Sequence, residues 1–175
     1  PETEIIQKIL LYTWLLELYL TQLRKTPKVD LEIEFDQFLA EVIPESWFKT
    51  HIIKMTHNMI LDHGRLRQLV SFSERVQNFD FVIHFYINEQ KYNSALKVLI
   101  DQDIPELYYK FSPLLIKSIP YQLISAWKNT SKRLNLKKLI PAFTDRSFLS
   151  TNPKAISMII EYIQEQLNNG DQQGL

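Results

Sequence analysis

Ile5, Ile9, Tyr12, Leu16 and Leu20 recur three or four positions apart, and Leu15, Leu18 and Tyr19 widen the stripe. That spacing predicts an amphipathic helix from Glu4 to Arg24. Leu11 and Trp14 lie partly outside the stripe, so apolar side chains occupy much of the circumference and the helix is expected to be covered on more than one side. Pro27 ends it, because the ring keeps Thr26 out of the helical region.

Asp30 is positioned to cap a short helix whose buried stripe is Phe35, Phe38, Leu39 and Val42. Pro44 breaks that helix and Ser46 begins the next, in which Phe48, Ile52, Met55, Met59 and Ile60 keep helical spacing up to His63. Gly64 is a natural corner because it takes a positive φ without steric cost, and His63 beside it suits a helix end. Leu66, Leu69, Val70 and Phe72 mark a further short helix. Asn78 or Asp80 opens one carrying Phe81, Val82, Phe85 and Tyr86, which leads at once into a helix from Tyr92 to Ile100. Helices joined so closely fold back as antiparallel pairs. Phe81, Phe85, Tyr92, Ala95, Leu96, Leu99, Phe111, Trp127 and Phe143 are the expected structural seam, with small Ala95 admitting a neighbouring helix.

Pro105 and Pro120 suit helix starts, where a missing amide costs nothing. Pro113 either kinks a helix or starts one, and Pro141 interrupts or bends a helix through Leu134, Leu136, Leu139, Ile140 and Phe143. Arg146 to Asn152 reads as a loop, and Pro153 starts a last helix through Ile156, Ile159, Ile160 and Ile163. No convincing alternating strand remains, so the expected fold is all-α: about ten helices in antiparallel pairs forming an α-solenoid. The solenoid is expected over 1–167, with 168–175 a polar, flexible tail.

Composition narrows the chemistry. With 45% hydrophobic and 12% aromatic residues the chain can bury a core, and the absence of cysteine excludes disulfides, thiolate metal ligands and thiol catalysis. The first residues lack the basic start and apolar run of a signal peptide, and no apolar run approaches the roughly 18 residues of a membrane span. Its polar end and its start within a helical pattern suggest an excised piece of something larger.

Net charge is zero but segregated. Between Val29 and Phe48 the charges are Asp30, Glu32, Glu34, Asp36, Glu41 and Glu45, without lysine or arginine; from Leu107 to Thr144 the order reverses, without a carboxylate side chain. Lys128, Lys132, Arg133, Lys137 and Lys138 are therefore the candidate interaction surface, toward an acidic partner or an anionic membrane.

The chain has no phosphate-binding glycine loop, no nucleophile elbow and no zinc-type HExxH spacing. His51, His57, His63 and His84 are too scattered for a metal site, and no catalytic, cofactor-binding or metal residue is assigned. Tyr108, Tyr109, Tyr121 and Trp127 could stack on bases, but they fall mainly on or beside apolar seams and a neutral chain gains little from counterion release. Neither nucleic acid nor a small-molecule substrate is expected.

The residue order is more specific than a generic stack. HGR at His63 to Arg65, YNSALKVL at Tyr92 to Leu99, YYKFSPLLI at Tyr108 to Ile116 and LIPAF at Leu139 to Phe143 closely resemble the vacuolar protein sorting-associated protein 18 (Deep orange) family. TWLLELYLTQL at Thr13 to Leu23 also fits. YNSALKVL alone would indicate only a clathrin-heavy-chain-type or tetratricopeptide-like repeat. The resemblance implies the solenoid region of a protein that also carries a β-propeller and a zinc-binding RING-type domain, neither present here. It further implies a scaffold segment of the class C tethering assemblies HOPS and CORVET, acting in vesicle docking and fusion, with the other class C subunits as partners. The implied location is cytoplasmic, peripheral on late endosome and lysosome or vacuole membranes. The alternative is a membrane-surface or adaptor-type helical module using the basic 110–138 region.

Overall fold

A computed structural model describes residues 1–173, with side-chain surroundings through residue 170. Eleven helices occur among the described residues: α1 (Glu2–Lys25), α2 (Val29–Val42), α3 (Thr50–Asp62), α4 (Leu66–Arg75), α5 (Phe79–Asn88), α6 (Tyr92–Gln102), α7 (Pro105–Leu115), α8 (Pro120–Lys128), α9 (Leu136–Phe143), α10 (Arg146–Thr151) and α11 (Pro153–Gln173). No strand interrupts them among these residues, and the arrangement is all-α and solenoid-like, built from stacked helix pairs. The chain divides into two units, Pro1–Val82 and Ile83–Leu175, with the division falling inside α5.

The corners between successive helices follow a backbone rule. Gly64, Gln77, Gln90 and Asp103 all have positive φ, at 68°, 62°, 59° and 51°, each thirteen residues after the last. At the first three, two hydrogen bonds close the preceding helix. Arg65 N–H donates to the Ile60 carbonyl and Gly64 N–H to Leu61; the same pair runs from Asn78 to Ser73 and Gln77 to Glu74, and from Lys91 to Tyr86 and Gln90 to Ile87. This doubled closure satisfies terminal carbonyls that would otherwise lack partners and turns the chain sharply. Asp103 uses the single-bond form, donating to the Leu99 carbonyl.

In the first unit α1 packs against α2 and α3, while α4 packs against α2 and α3. Its core gathers Tyr12, Leu16, Leu20 and Leu23 from α1 with Phe35, Leu39, Ile52, Ile60, Leu69 and Phe72. Tyr12 sits among the rings of Phe38, Trp47 and Phe48 at 5.7, 5.5 and 5.6 Å. Its hydroxyl shares a 2.6 Å hydrogen bond with buried Thr56, so the phenol enters the core with its polar end satisfied. Burial pushes its pKa up to about 12, against a smaller lowering by Thr56.

In the second unit α7 packs against α6, α8 and α9, and α11 against α8 and α10. Trp127 lies at this centre, donating to Ser112 Oγ at 3.1 Å and contacting the rings of Phe143 and Tyr162 at 5.7 and 5.6 Å. The α7 helix runs unbroken through Pro113 and α9 through Pro141.

Several expectations are corrected. Lys28, not Asp30, is the N-cap of α2; its carbonyl accepts from Leu31 and Glu32, which leaves Asp30 in the first turn. The third helix starts at Thr50 rather than Ser46, because Glu45, Phe48 and Lys49 bond to Val42, Glu45 and Trp47 as successive turns after Pro44. Residues 146–151 form α10 instead of a loop, since the Asp145 carboxylate accepts from the Ser147 and Phe148 amides at 3.0 and 3.2 Å. Leu134 is buried ahead of α9 rather than within it. The outer face of α1 is exposed within this chain rather than covered, with Leu10, Leu11 and Trp14 all open to solvent. The expected tail 168–175 overlaps α11 up to Gln173, and its last two residues lie outside the described residues.

The corner geometry predicts different outcomes for two substitutions. Gly64→Ala should destabilise by about 1 kcal/mol through backbone conformation alone, because an added Cβ there meets nothing within 4 Å. Gln90→Gly should leave stability unchanged or raise it by up to about 1 kcal/mol, as relief of the left-handed strain opposes glycine's entropy cost. Urea midpoints of the two variants against the parent check this pair.

Candidate interaction surface

Among the described residues no group of three or more His, Asp or Glu side chains could hold a metal ion, and no helix is long and apolar enough to cross a membrane. His57 lies half-buried with its ring 4.8 Å from Phe81, and that burial lowers its pKa. His84 stands edge-on to Phe111 at 4.9 Å. His57 and His84 pack as aromatic rings.

The HGR corner proves to be an ionic clamp. His63 caps the end of α3 and meets the Glu17 carboxylate of α1 at 3.1 and 3.2 Å. Arg65 donates to Glu32 of α2 at 2.8 Å, and Arg67 reaches the other oxygen at 2.9 Å. One turn therefore ties α1 and α2 to the junction of α3 and α4. The acidic run was legible in the sequence; its pairing with Arg65 and Arg67 required the fold.

The five candidate basic residues come from three places: Lys128 at the end of α8, Lys132 and Arg133 in the following turn, and Lys137 and Lys138 in α9. Lys128 lies 3.8 and 3.6 Å from Glu161 and Glu165 of α11. The Arg133 guanidinium donates to the Gln166 side chain at 2.9 Å and also to its backbone carbonyl. Lys138 pairs with Glu106 at 3.3 Å and stands 5.2 Å over the Tyr109 ring. Lys132 and Lys137 are exposed and, among the described residues, have no ion-pair partner. Carboxylates outside the 107–144 run thus neutralise part of its charge.

The expected seam residues differ in depth. Ala95, Leu96, Leu99, Phe111 and Trp127 are buried, while Phe81, Phe85, Tyr92 and Phe143 are half-buried. Burial removes Trp127 as a stacking platform for bases, and Tyr108 is buried in the same unit. Burial, followed by the charge of Asp103, pushes the Tyr108 pKa up to about 12.

A groove of about 440 Å³ in the second unit escaped the sequence reading; Leu96, Ile100, Asp103, Tyr108, Ser125 and Asn129 help line it. Asp103 also accepts from the Ser131 amide at 3.3 and 3.1 Å, joining the end of α6 to the turn after α8. No spacing rule links positions so far apart.

Comparison with known proteins now bears on the helical order. Residues 79–173 match the family model described as VPS18, alpha-solenoid domain, second half. The chain belongs to the VPS18 family. It is 31% identical over 170 residues to the zebrafish vacuolar protein sorting-associated protein 18 homolog, covering 93% of this chain and 17% of that protein. It is 29% identical over 177 residues to Arabidopsis vacuolar sorting protein 18, covering 94% and 18% respectively. Fission yeast vacuolar membrane protein pep3 is 22% identical over 174 residues, with 90% and 19% coverage. The chain spans less than a fifth of the length of these curated relatives.

One VPS18-segment interaction has a definite pH dependence. Lys117 foremost, then the Ser147 side chain and the Phe148 amide, hold the Asp145 carboxyl well below its ordinary 3.8. A depressed folded-state value means stabilisation fully present above the unfolded pKa and lost as pH falls through the folded one. Asp145→Asn should therefore lower the thermal midpoint near neutrality, with the gap from the parent narrowing progressively below about pH 3.9. Melting curves across that range measure it; a gap independent of pH would assign the effect to the helix cap alone.

Proposed function

We propose that this chain is a structural scaffold segment of a multisubunit membrane-tethering complex of the HOPS and CORVET kind. It acts in vesicle docking and fusion at endosomes and the lysosome or vacuole. Its partners are other class C tethering subunits, and its location is cytoplasmic and peripheral on those membranes. The observation that carries this reading is the family match over 79–173, supported by relatives named for vacuolar protein sorting across nearly the whole chain.

The physical contribution is spacing. Short helices stopped by closed left-handed corners resist local bending, because at Gly64, Gln77 and Gln90 two hydrogen bonds fix the backbone. A segment of this kind holds the binding modules on either side at a set separation. Lys132 and Lys137 remain the exposed cations best placed to meet an acidic partner surface.

The alternative, a membrane-surface or adaptor-type module using the basic 110–138 region, has weaker support. Lys128 and Lys138 already face carboxylates, so fewer charges are left to contact anionic lipid.

The test uses the full-length protein. Replacing 1–173 by a flexible linker of equal residue count should abolish vesicle clustering in a reconstituted tethering assay while other class C subunits still co-purify. Undiminished clustering would overturn the spacing role. Weaker binding to anionic liposomes at low salt after Lys132→Glu and Lys137→Glu, with co-purification intact, would favour the membrane reading.

A further inference from the structure

The outer face of α1 carries an apolar ridge that the first unit does not use. Its inner face, Tyr12, Leu16, Leu20 and Leu23, is buried against α2 and α3. On the other side Ile6, Leu10, Trp14 and Leu18 follow one another at intervals of four and are 57%, 65%, 63% and 42% exposed, with Leu11 beside them. The ridge is about 18 Å long at the helical rise. Glu2 continues the row one turn before Ile6, and Glu17 stands beside its other end, where His63 already meets that carboxylate. Four large apolar side chains in a row exceed the scattered exposure normal for a surface.

The form of the ridge selects the form of its occupant. Residues spaced by four build the rows that interdigitate between packed helices. An extended peptide would find no backbone partner there, because the amides and carbonyls within a helix are already bonded to one another. The family placement selects the source. Residues 79–173 match the second half of the VPS18 solenoid, so 1–78 lie on the side of the first half. More than four-fifths of the zebrafish and Arabidopsis relatives lies outside the aligned segment. A helical repeat cannot bury its apolar face alone, and its neighbour in the same chain completes it.

We infer that the ridge Ile6, Leu10, Trp14 and Leu18 is the seat of an amphipathic helix belonging to the same polypeptide, supplied by solenoid sequence upstream of residue 1 in the full-length protein. This rests on membership of the solenoid and not on the tethering role. The packing makes α1 an interior helix and explains why apolar residues occupy so much of its circumference.

The experiment places p-benzoylphenylalanine at position 14 of the full-length protein, irradiates it and maps the products by mass spectrometry. The expected result is an intramolecular cross-link to the helix directly upstream. A cross-link to a second copy or to another protein, or none at all, overturns the inference. A second variant guards against loss of folding: Leu10→Gln should raise hydrogen exchange in the upstream helix by about tenfold or more while Thr50–Arg75 is unchanged. Unaltered upstream exchange would also overturn it. Neither readout involves membranes, so failure here and failure of the tethering reading are separable.

Discussion

The left-handed corner sets the rhythm on which the described helices depend. A helix of three turns ends with unsatisfied carbonyls, and these become costly wherever a neighbouring helix excludes water. At Gly64, Gln77 and Gln90 the chain solves this by passing once through positive φ and bonding back across the last turn. Two of the three are glutamine, so the conformation persists against an intrinsic preference for the right-handed region. Packing on either side of the corner must outweigh that strain, as Leu69 and Phe72 before Gln77 and Val82 and Ile83 before Gln90 are positioned to do.

Charge follows from the same geometry. Along the chain acids and bases are segregated, which makes the acidic and basic stretches look like separate surfaces. In the folded first unit Glu32 receives Arg65 and Arg67; in the second, Glu106, Glu161 and Glu165 receive Lys138 and Lys128. Most of these groups are partly solvated, where such pairs contribute little to stability individually. Their effect is directional: they fix which helix faces meet, and they leave Lys132, Lys137 and Arg133, the last bonded to neutral Gln166, as those of the original five without a carboxylate partner among the described residues.

A stack of short helices presents its chemistry through its faces. Three kinds are present here: an apolar ridge on α1, a mixed groove lined by Ile100, Asp103 and Asn129, and the residual cations near α9. Their chemistries differ enough that each would select a different contact. The ridge suits continuation of the solenoid itself, and exposed charge suits a polar partner surface whose contacts form and release.

Hydrophobic spacing by itself determined the all-α class, the positions of most helices and the corner at Gly64, because a period near four is imposed by the helix wherever one face is buried. Residue order further indicated the family. The corners at Gln77 and Gln90 were illegible, since glutamine carries no local preference for positive φ. Residues 146–151 read as a loop because the segment is polar and weakly periodic, whereas the Asp145 cap makes it helical. Only tertiary structure decided that Glu106, Glu161 and Glu165 answer Lys138 and Lys128, and that one side of α1 is left open within this chain. Periodicity reports which side chains share a face of one helix; what that face meets depends on residues tens of positions away, brought near by packing that no local pattern encodes.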